Sequence, residues 1–393
     1  MRKLTRVRRG EQGAVVVIVA VFMCFVALGL AALTVDVGNI NADRRQLQNG
    51  ADAVALAVAG QCAATGTCVP NDPSLATLAN ANAADGATDI RRVDGQTPVC
   101  GSGTGLPVCS SASVPSMQNL QECPATVPAG NYVRVYTETT NTAGVHILPY
   151  AFGAAIAGAG SGANQQTCAS AAWGSLGTYT ATVPITISLC MFDKLVGGVS
   201  SLPPEPDAVK PGYGPGHVNA WPSPSPEQVE YTTKYAGTCL NSNGHTANGS
   251  FGWLNNTSCN STVTSGSWIN GNPGNDVPNG CDLSQYWGTK ILVPVFDCVV
   301  DSHSQPAAPP ADPCFIPTSG GKNIWYHISG WASFYLSGYR FSGVSANSYP
   351  PALAPPCGPP DSCIGGWLTK LTLSGPPTGG GPNYGVKSVQ LVG

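Results

Sequence analysis

The chain has 393 residues, enough for more than one compact unit and a substantial core. Only 10% of them are charged, the formal net charge is -3, and five of the eighteen basic residues (Arg2, Lys3, Arg6, Arg8, Arg9) crowd into the first nine positions. The remainder is acidic overall, which argues against a nucleic-acid partner, because such binding needs clustered Lys and Arg to displace counterions from phosphates.

Residues 1–13 read as a basic cytoplasmic leader. From Ala14 to Val35 no charge and no proline occurs, and as a helix this segment would be about 33 Å long, the thickness of a bilayer core. A buried core helix shows a polar face, and this one has none. A cleaved secretory signal has an apolar region of only ~7–15 residues closed by small residues. This run is longer and lacks a good A-x-A site, so 14–35 is expected to be a permanent span, with an unusually long signal peptide as the alternative. The basic cluster before it and Asp36 after it place the N-terminus in the cytoplasm and the bulk outside.

The helix is expected to continue as a stalk over 36–59, where there is no proline and Asn49-Gly50 is the obvious weak point. Val37, Ile40, Arg44, Leu47, Ala51, Val54 and Val58 follow the alternating 3,4 spacing of a packing stripe, diluted by Arg44 and Ala51. Two readings stay open: an amphipathic helix lying on the downstream domain, or a helix that packs on another molecule.

The segment RRGEQGAVVVIVA followed by ALTVDVGNINADRRQLQNGADAVALA resembles the N-terminal region of the TadE/TadG-like proteins of tight-adherence (Flp) pilus assembly. Glu11, Gly13 and Ala14 before the span carry the resemblance, with Asp36 and Gly38 after it and Arg45, Leu47, Gln48, Ala51, Asp52 and Ala53 beyond. It implies a membrane-anchored envelope component associated with pilus assembly, not an enzyme, whose partners are the lipid bilayer and other pilus-assembly or pilin-like proteins. The anchor and packing set is then Gly13, Ala14, Asp36, Gly38, Leu47, Gln48, Ala51 and Asp52. Asp36 resists withdrawal into hydrocarbon, and Gly38 permits close helix contact. Processed pilins of the type IV kind carry a glutamate five residues after the cleavage glycine. Here that position is Val15 after Gly10 and Ile18 after Gly13, so peptidase processing is not carried over. Neither is the DxSxS metal site of some TadG-like relatives, because Asp282-Leu283-Ser284-Gln285-Tyr286 lacks the second serine.

Beyond the stalk, 60–201 is expected to be one cysteine-containing exported subdomain, 202–226 a proline-rich linker or arm, and 227–393 a β-rich exported subdomain. Asp72 to Asp89 has the spacing of one short helix, and the rest of 60–130 reads as disulfide-tied loop. Tyr132–Tyr136 and Thr182–Leu189 alternate with period two, and Pro184 suggests that the second is an edge strand or carries an irregularity. Ala151–Ala159 is small and apolar, a short helix or a glycine-softened strand. Further strands are expected at Lys290–Phe296 and Asn323–Phe341. GWLNNTSC at 252–259 and YWGTKILVPVFD at 286–297 resemble downstream parts of actinobacterial TadG-like proteins. The expected fold class is therefore a single N-terminal transmembrane helix with a helical extension, then a mainly β (α+β), disulfide-braced exported region.

Fifteen cysteines occur. Cys24 lies in the apolar run. The other fourteen are Cys62, Cys68, Cys100, Cys109, Cys123, Cys168 and Cys190 before the proline-rich stretch, and Cys239, Cys259, Cys281, Cys298, Cys314, Cys357 and Cys363 after it. No CxxC pair suggests zinc, so a disulfide framework in an oxidising space is expected. Both counts are odd, so pairing all fourteen within one chain requires at least one bridge between the halves.

Catalytic patterns are poor. The histidines His146, His217, His245, His303 and His327 form no HExxH, and Asp301, Ser302 and His303 are adjacent and point apart. Gly174-Ser175-Leu176-Gly177 is not a nucleophile elbow, and GSGTG at 101–105 lacks the lysine of a phosphate loop. Asp276, Asp282, Asp297 and Asp301 form no spaced calcium loop. No enzyme activity, cofactor or metal is expected. The alternative function is a cell-surface glycan- or protein-binding module, in which Trp325, Tyr326, Trp331, Phe334, Tyr335 and Tyr339 stack on a ligand instead of filling a core.

Overall fold

The computed structural model describes residues 12–92, 95–110, 130–153, 160–202, 228–231, 251–272, 277–278, 280–306, 323–347, 355–378 and 381–392. The basic leader through Glu11, nearly all of the proline-rich stretch, Cys123, Cys239, Cys314, His217, His245 and Asp276 lie outside the described residues.

The first element, α1 (Gln12–Thr65), is one helix of 54 residues, about 81 Å long at 1.5 Å per residue. Its N-terminal part is long and apolar enough to cross a membrane, with a mean hydropathy of 3.0 and none of that window buried against the chain. It ends where Gly66 takes a positive φ of 79° and its N–H bonds to Cys62 O at 2.9 Å, a left-handed cap that glycine adopts without a Cβ clash. The short α2 (Pro73–Asn80) starts where Asp72 accepts from Ser74 N–H at 2.9 Å with Pro73 in the first turn.

Beyond α2 the chain forms a mixed α+β region with several disulfides. The first sheet contains β1 (Val99–Gly101), β2 (Asn131–Thr139), β3 (Gln166–Leu176), β10 (Leu371–Ser374) and β11 (Val386–Leu391). Strand β3 lies at its centre. It pairs with β2 from Asn131↔Trp173 to Glu138↔Gln166, and with β11 from Lys387↔Ser175 to Leu391↔Ala171, both antiparallel.

The second sheet contains β4 (Ile185–Ser188), β5 (Phe251–Leu254), β6 (Ser267–Asn272), β7 (Thr289–Asp301), β8 (Ile324–Phe341) and β9 (Cys363–Thr369). Here β6 pairs with both β5 and β8, so β4, β5, β6, β8 and β7 close into a ring, with β9 outside it beside the short strand Gln228–Tyr231. The closure runs through the short pairing Val295↔Ile187 and Phe296↔Ser188 between β7 and β4. Of the two expectations for the Pro184 strand, the edge position does not hold: β4 lies between β5 and β7. Pro184 sits one residue before β4, so its missing N–H costs no ladder bond, and its carbonyl accepts from Leu254 N–H at 2.8 Å. The last residue of the expected strand, Leu189, instead starts α3 (Leu189–Val196).

Each sheet takes strands from both sides of the proline-rich stretch. Strands β10 and β11 join the sheet of β2 and β3, and β4 joins the ring. One face of these strands packs with α3 and β9 in a hydrophobic cluster that includes Ile185, Ile187, Phe192, Val293, Phe334, Leu336 and Ile364. The aromatics of β8 are mostly core: Tyr326, Trp331, Phe334, Tyr335 and Tyr339 are buried, and Trp331 donates its indole N–H to Gly177 O at 3.0 Å. Burial raises the Tyr326 phenol to a pKa of about 12.

Candidate functional site at the helix and sheet junction

Where α1 leaves its apolar segment, Asp36 is the first charged side chain, and it is only 6% exposed. Its carboxylate is held by three consecutive backbone N–H groups. Ala151 donates to Oδ1 at 2.7 Å, Gly153 donates to Oδ2 at 2.5 Å, and Phe152 shares its N–H between both oxygens at 3.3 Å. Such charge-assisted bonds are worth more than neutral ones and satisfy a buried carboxylate that would otherwise be expensive. The loop bends tightly here: a Cβ on Gly153 would lie 2.9 Å from Asp36 Oδ2.

Further contacts run along the helix. Asp43 Oδ2 accepts from the Thr139 hydroxyl at 2.6 Å. Burial pushes the Asp43 carboxyl pKa up, opposed by that hydroxyl and assisted by the negative charge of Asp85. Gln46 Oε1 accepts from Ala84 N–H at 2.8 Å, and the Thr137 hydroxyl donates to Leu47 O at 3.1 Å. Gln48 Nε2 donates to Asp52 Oδ1 at 2.8 Å and to Cys168 O at 3.2 Å, tying the helix to the middle of the sheet.

From Leu47 onward one face of α1 is core. Ala51, Val54, Ala55, Val58 and Ala59 pack with Val133, Val135, Ala169, Ala171, Trp173 and Val389. Ala51 does not dilute the stripe, as the sequence suggested. Small residues at 51, 55 and 59 meet small residues at 169 and 171, which lets helix and sheet approach closely. Gly50 serves the other flank: a Cβ there would stand 3.3 Å from Ala79 O of α2. The face that carries Leu47, Ala51, Val54 and Val58 is thus occupied by the chain's own sheet. Val37 and Gly38 stay exposed, and among the described residues nothing comes within 4 Å of the place a Cβ on Gly38 would take. Gly13 and Ala14 lie in the first turn of α1.

At the far end of the helix the Cys62–Cys68 bridge closes the turn. Cys100–Cys109, Cys259–Cys281 and Cys357–Cys363 are also bridged, and Cys168, Cys190 and Cys298 are disulfide-bonded. Cys24 is free and exposed. GSGTG at 101–105 packs against this end: a Cβ on Gly103 would come 2.6 Å from the Trp173 ring and 2.8 Å from Cys68 Sγ. Those glycines make room for an indole and a disulfide. Beside them lies a cavity of about 330 Å³ lined by Ser102, Asn131, Trp173, Lys370, Asn383 and Lys387, among others. Burial lowers the Lys387 pKa.

The residues weighed for catalysis are scattered. Ser302 Oγ donates to Ser304 O at 2.7 Å, and Ser175 Oγ donates to Gly381 O at 2.6 Å. Asp282 caps a short helical turn by accepting from Ser284 N–H and its hydroxyl. His327 Nδ1 lies 2.7 Å from Asp297 Oδ1, with the Trp268 ring edge-on at 5.2 Å between centroids. Among the described residues no three His, Cys, Asp or Glu side chains gather as a metal site.

Several contacts left little trace in the sequence. The Ala151–Gly153 loop offers Asp36 only backbone donors, and Thr137 and Thr139 look like ordinary strand residues. A signal that was present is the alanine series at 51, 55 and 59, the i, i+4 mark of a close-packed helix face.

The arrangement defines a class: a chain whose first helix is suited to cross a membrane and then runs on as the core helix of a mixed α+β body. The family model described as putative Flp pilus-assembly TadE/G-like matches residues 13–61, nearly the whole of α1. No curated protein and no solved structure matches the chain.

Proposed function

We propose that the protein is a structural component of an Flp/Tad-type pilus apparatus, with its N-terminus in the cytoplasm and its disulfide-braced body presented outside the membrane. The observation that carries this reading is the coincidence of the matched segment 13–61 with α1, which contains both the apolar span and the face that holds the body. The basic cluster Arg2 to Arg9 supports the orientation by the positive-inside tendency. The bridges support an oxidising compartment for the body. The role is mechanical, without catalysis: α1 positions the body relative to lipid, and its exposed face from Val15 to Gly38 is where other span-bearing pilus proteins would pack. Deleting the gene should abolish or strongly reduce surface pili. The full chain should restore them, and a chain in which the segment 14–35 is replaced by a cleavable signal should not. Normal piliation in the deletion strain contradicts the proposal.

A second reading, a glycan-binding module, is favoured by the cavity that Trp173 helps to line, whose Ser, Asn and Lys side chains suit a small saccharide. Saccharide-dependent tryptophan fluorescence, lost on Trp173→Leu, would support it.

A further inference from the structure

Asp36 does more than end the apolar segment. In an α-helix every Cα–Cβ bond leans toward the N-terminus, so a side chain covers the turn before its own Cα. The backbone segment that Asp36 holds, Ala151–Gly153, is therefore drawn down over the last turn of the apolar run. Burial agrees: within 15–35 every residue is exposed except Ala32, four positions before Asp36, which is partly covered. The loop thus lies at the depth where a span ends.

Its chemistry suits that depth. Phe152 is 53% exposed although its N–H is tied to Asp36. Pro149 and Ala151 are exposed as well, and Tyr150 is half-buried. From Ile147 through Gly160 the sequence has no Asp, Glu, Lys, Arg or His. About half of Phe152 is open, and in water that part would have no apolar partner. At the edge of a bilayer the same ring would sit at the boundary of headgroups and acyl chains, the depth that Phe, Trp and Leu side chains of interfacial segments take. The Asp36 bonds set the loop beside the end of the exposed apolar run of α1, so one medium would reach both.

We propose that the Tyr150–Gly153 loop is a second membrane contact, with Phe152 inserted at the lipid headgroup and acyl boundary and Asp36 as the clamp that holds it there. This rests on the reading of residues 14–35 as a lipid-held span. The body would then touch the bilayer at two points, the helix and the loop, which limits its swivel about the helix axis.

The test uses the full chain in nanodiscs of phosphatidylcholine and phosphatidylglycerol, with and without a lipid bearing a nitroxide high on its acyl chain. A single trifluoromethyl-phenylalanine replaces Leu33, Ala151, Phe152 or Val108 in four separate preparations. Val108 is the distal control: it comes after the loop in which Thr104 O accepts from Cys68 N–H, beyond the end of α1. Fluorine relaxation should rise severalfold at 33, 151 and 152 and stay unchanged at 108. A strong response at 33 with 151 and 152 no different from 108 overturns the loop contact and leaves the span intact. No response at 33 overturns both.

Discussion

Asp36 and Gly153, separated by 117 positions, are joined by a 2.5 Å hydrogen bond from backbone N–H to carboxylate. With the neighbouring N–H groups of Ala151 and Phe152, it fixes a loop between β2 and β3 to the point where the helix stops being apolar. Asp36→Asn keeps the size and removes the charge. A hydrogen bond to a charged group contributes about 1.5–3 kcal/mol, so amide exchange at 151–153 should accelerate markedly while exchange in β2 and β3 is unchanged. Unchanged protection at 151–153 would count against the clamp.

The alanine face of α1 predicts a steric result. Ala55→Leu inserts methylenes between α1 and the sheet, and overpacking of this kind costs about 1–3 kcal/mol. Val58→Ala opens a void on the same face. Both should lower the thermal midpoint of the body, whereas Ala42→Leu, at an exposed position, should leave it within error.

Two glycines on one helix should respond differently. Gly38 faces open space, so Gly38→Ala should stabilise the helix by about 0.5–1 kcal/mol through propensity alone. Gly50 lies 3.3 Å from Ala79 O at the position a Cβ would take, so Gly50→Ala should show no such gain. If Gly38 serves a neighbouring span, Gly38→Leu should weaken co-purification of pilus proteins without lowering the thermal midpoint.

Asp43 predicts a pH dependence. Its folded pKa is raised above the unfolded value, chiefly by burial, so between those two values the folded state binds more protons than the unfolded one. This group's contribution therefore falls as pH rises through that window. Asp43→Asn should remove that part of the dependence. Relative to the variant, wild type should lose stability from the ordinary carboxylate range upward and level off above the raised value. A difference curve that rises with pH would contradict the assignment.

The bridge at the end of the helix closes a short loop. Losing the entropy restraint of a loop this size costs about 2–3 kcal/mol, so Cys62→Ser with Cys68→Ser should lower the denaturation midpoint. Because the bridge packs beside Gly103 and Trp173, the tryptophan emission should also move to the red.

Much of the architecture was legible where one side chain type carries the signal. The apolar run, the helical spacing that starts at Asp72 and the alternation of Tyr132–Tyr136 correspond to α1, α2 and β2, although α2 ends at Asn80 and Thr88–Asp89 is a strand instead of helix. Strand β3 was not legible. Its sequence QTCASAAWGSL is small and buried on both faces, so neither alternation nor β-branched residues mark it. The return of Val386–Leu391 to pair with β3 depends on contacts between distant parts of the chain, which no local pattern encodes. Pro184 left two readings open because a proline just before a strand reads like one within it. At the junction, Asp36 was singled out for its charge, but its partners are backbone amides that any sequence supplies.

The central claim is that one helix is lipid-held in its first part and carries an exported, oxidised body on its second. An impermeant maleimide applied to intact cells, with and without prior treatment by an impermeant phosphine reductant, tests it directly. The account predicts labelling of the body cysteines from outside only after reduction. Labelling without reduction, or only after the cells are lysed, would contradict it.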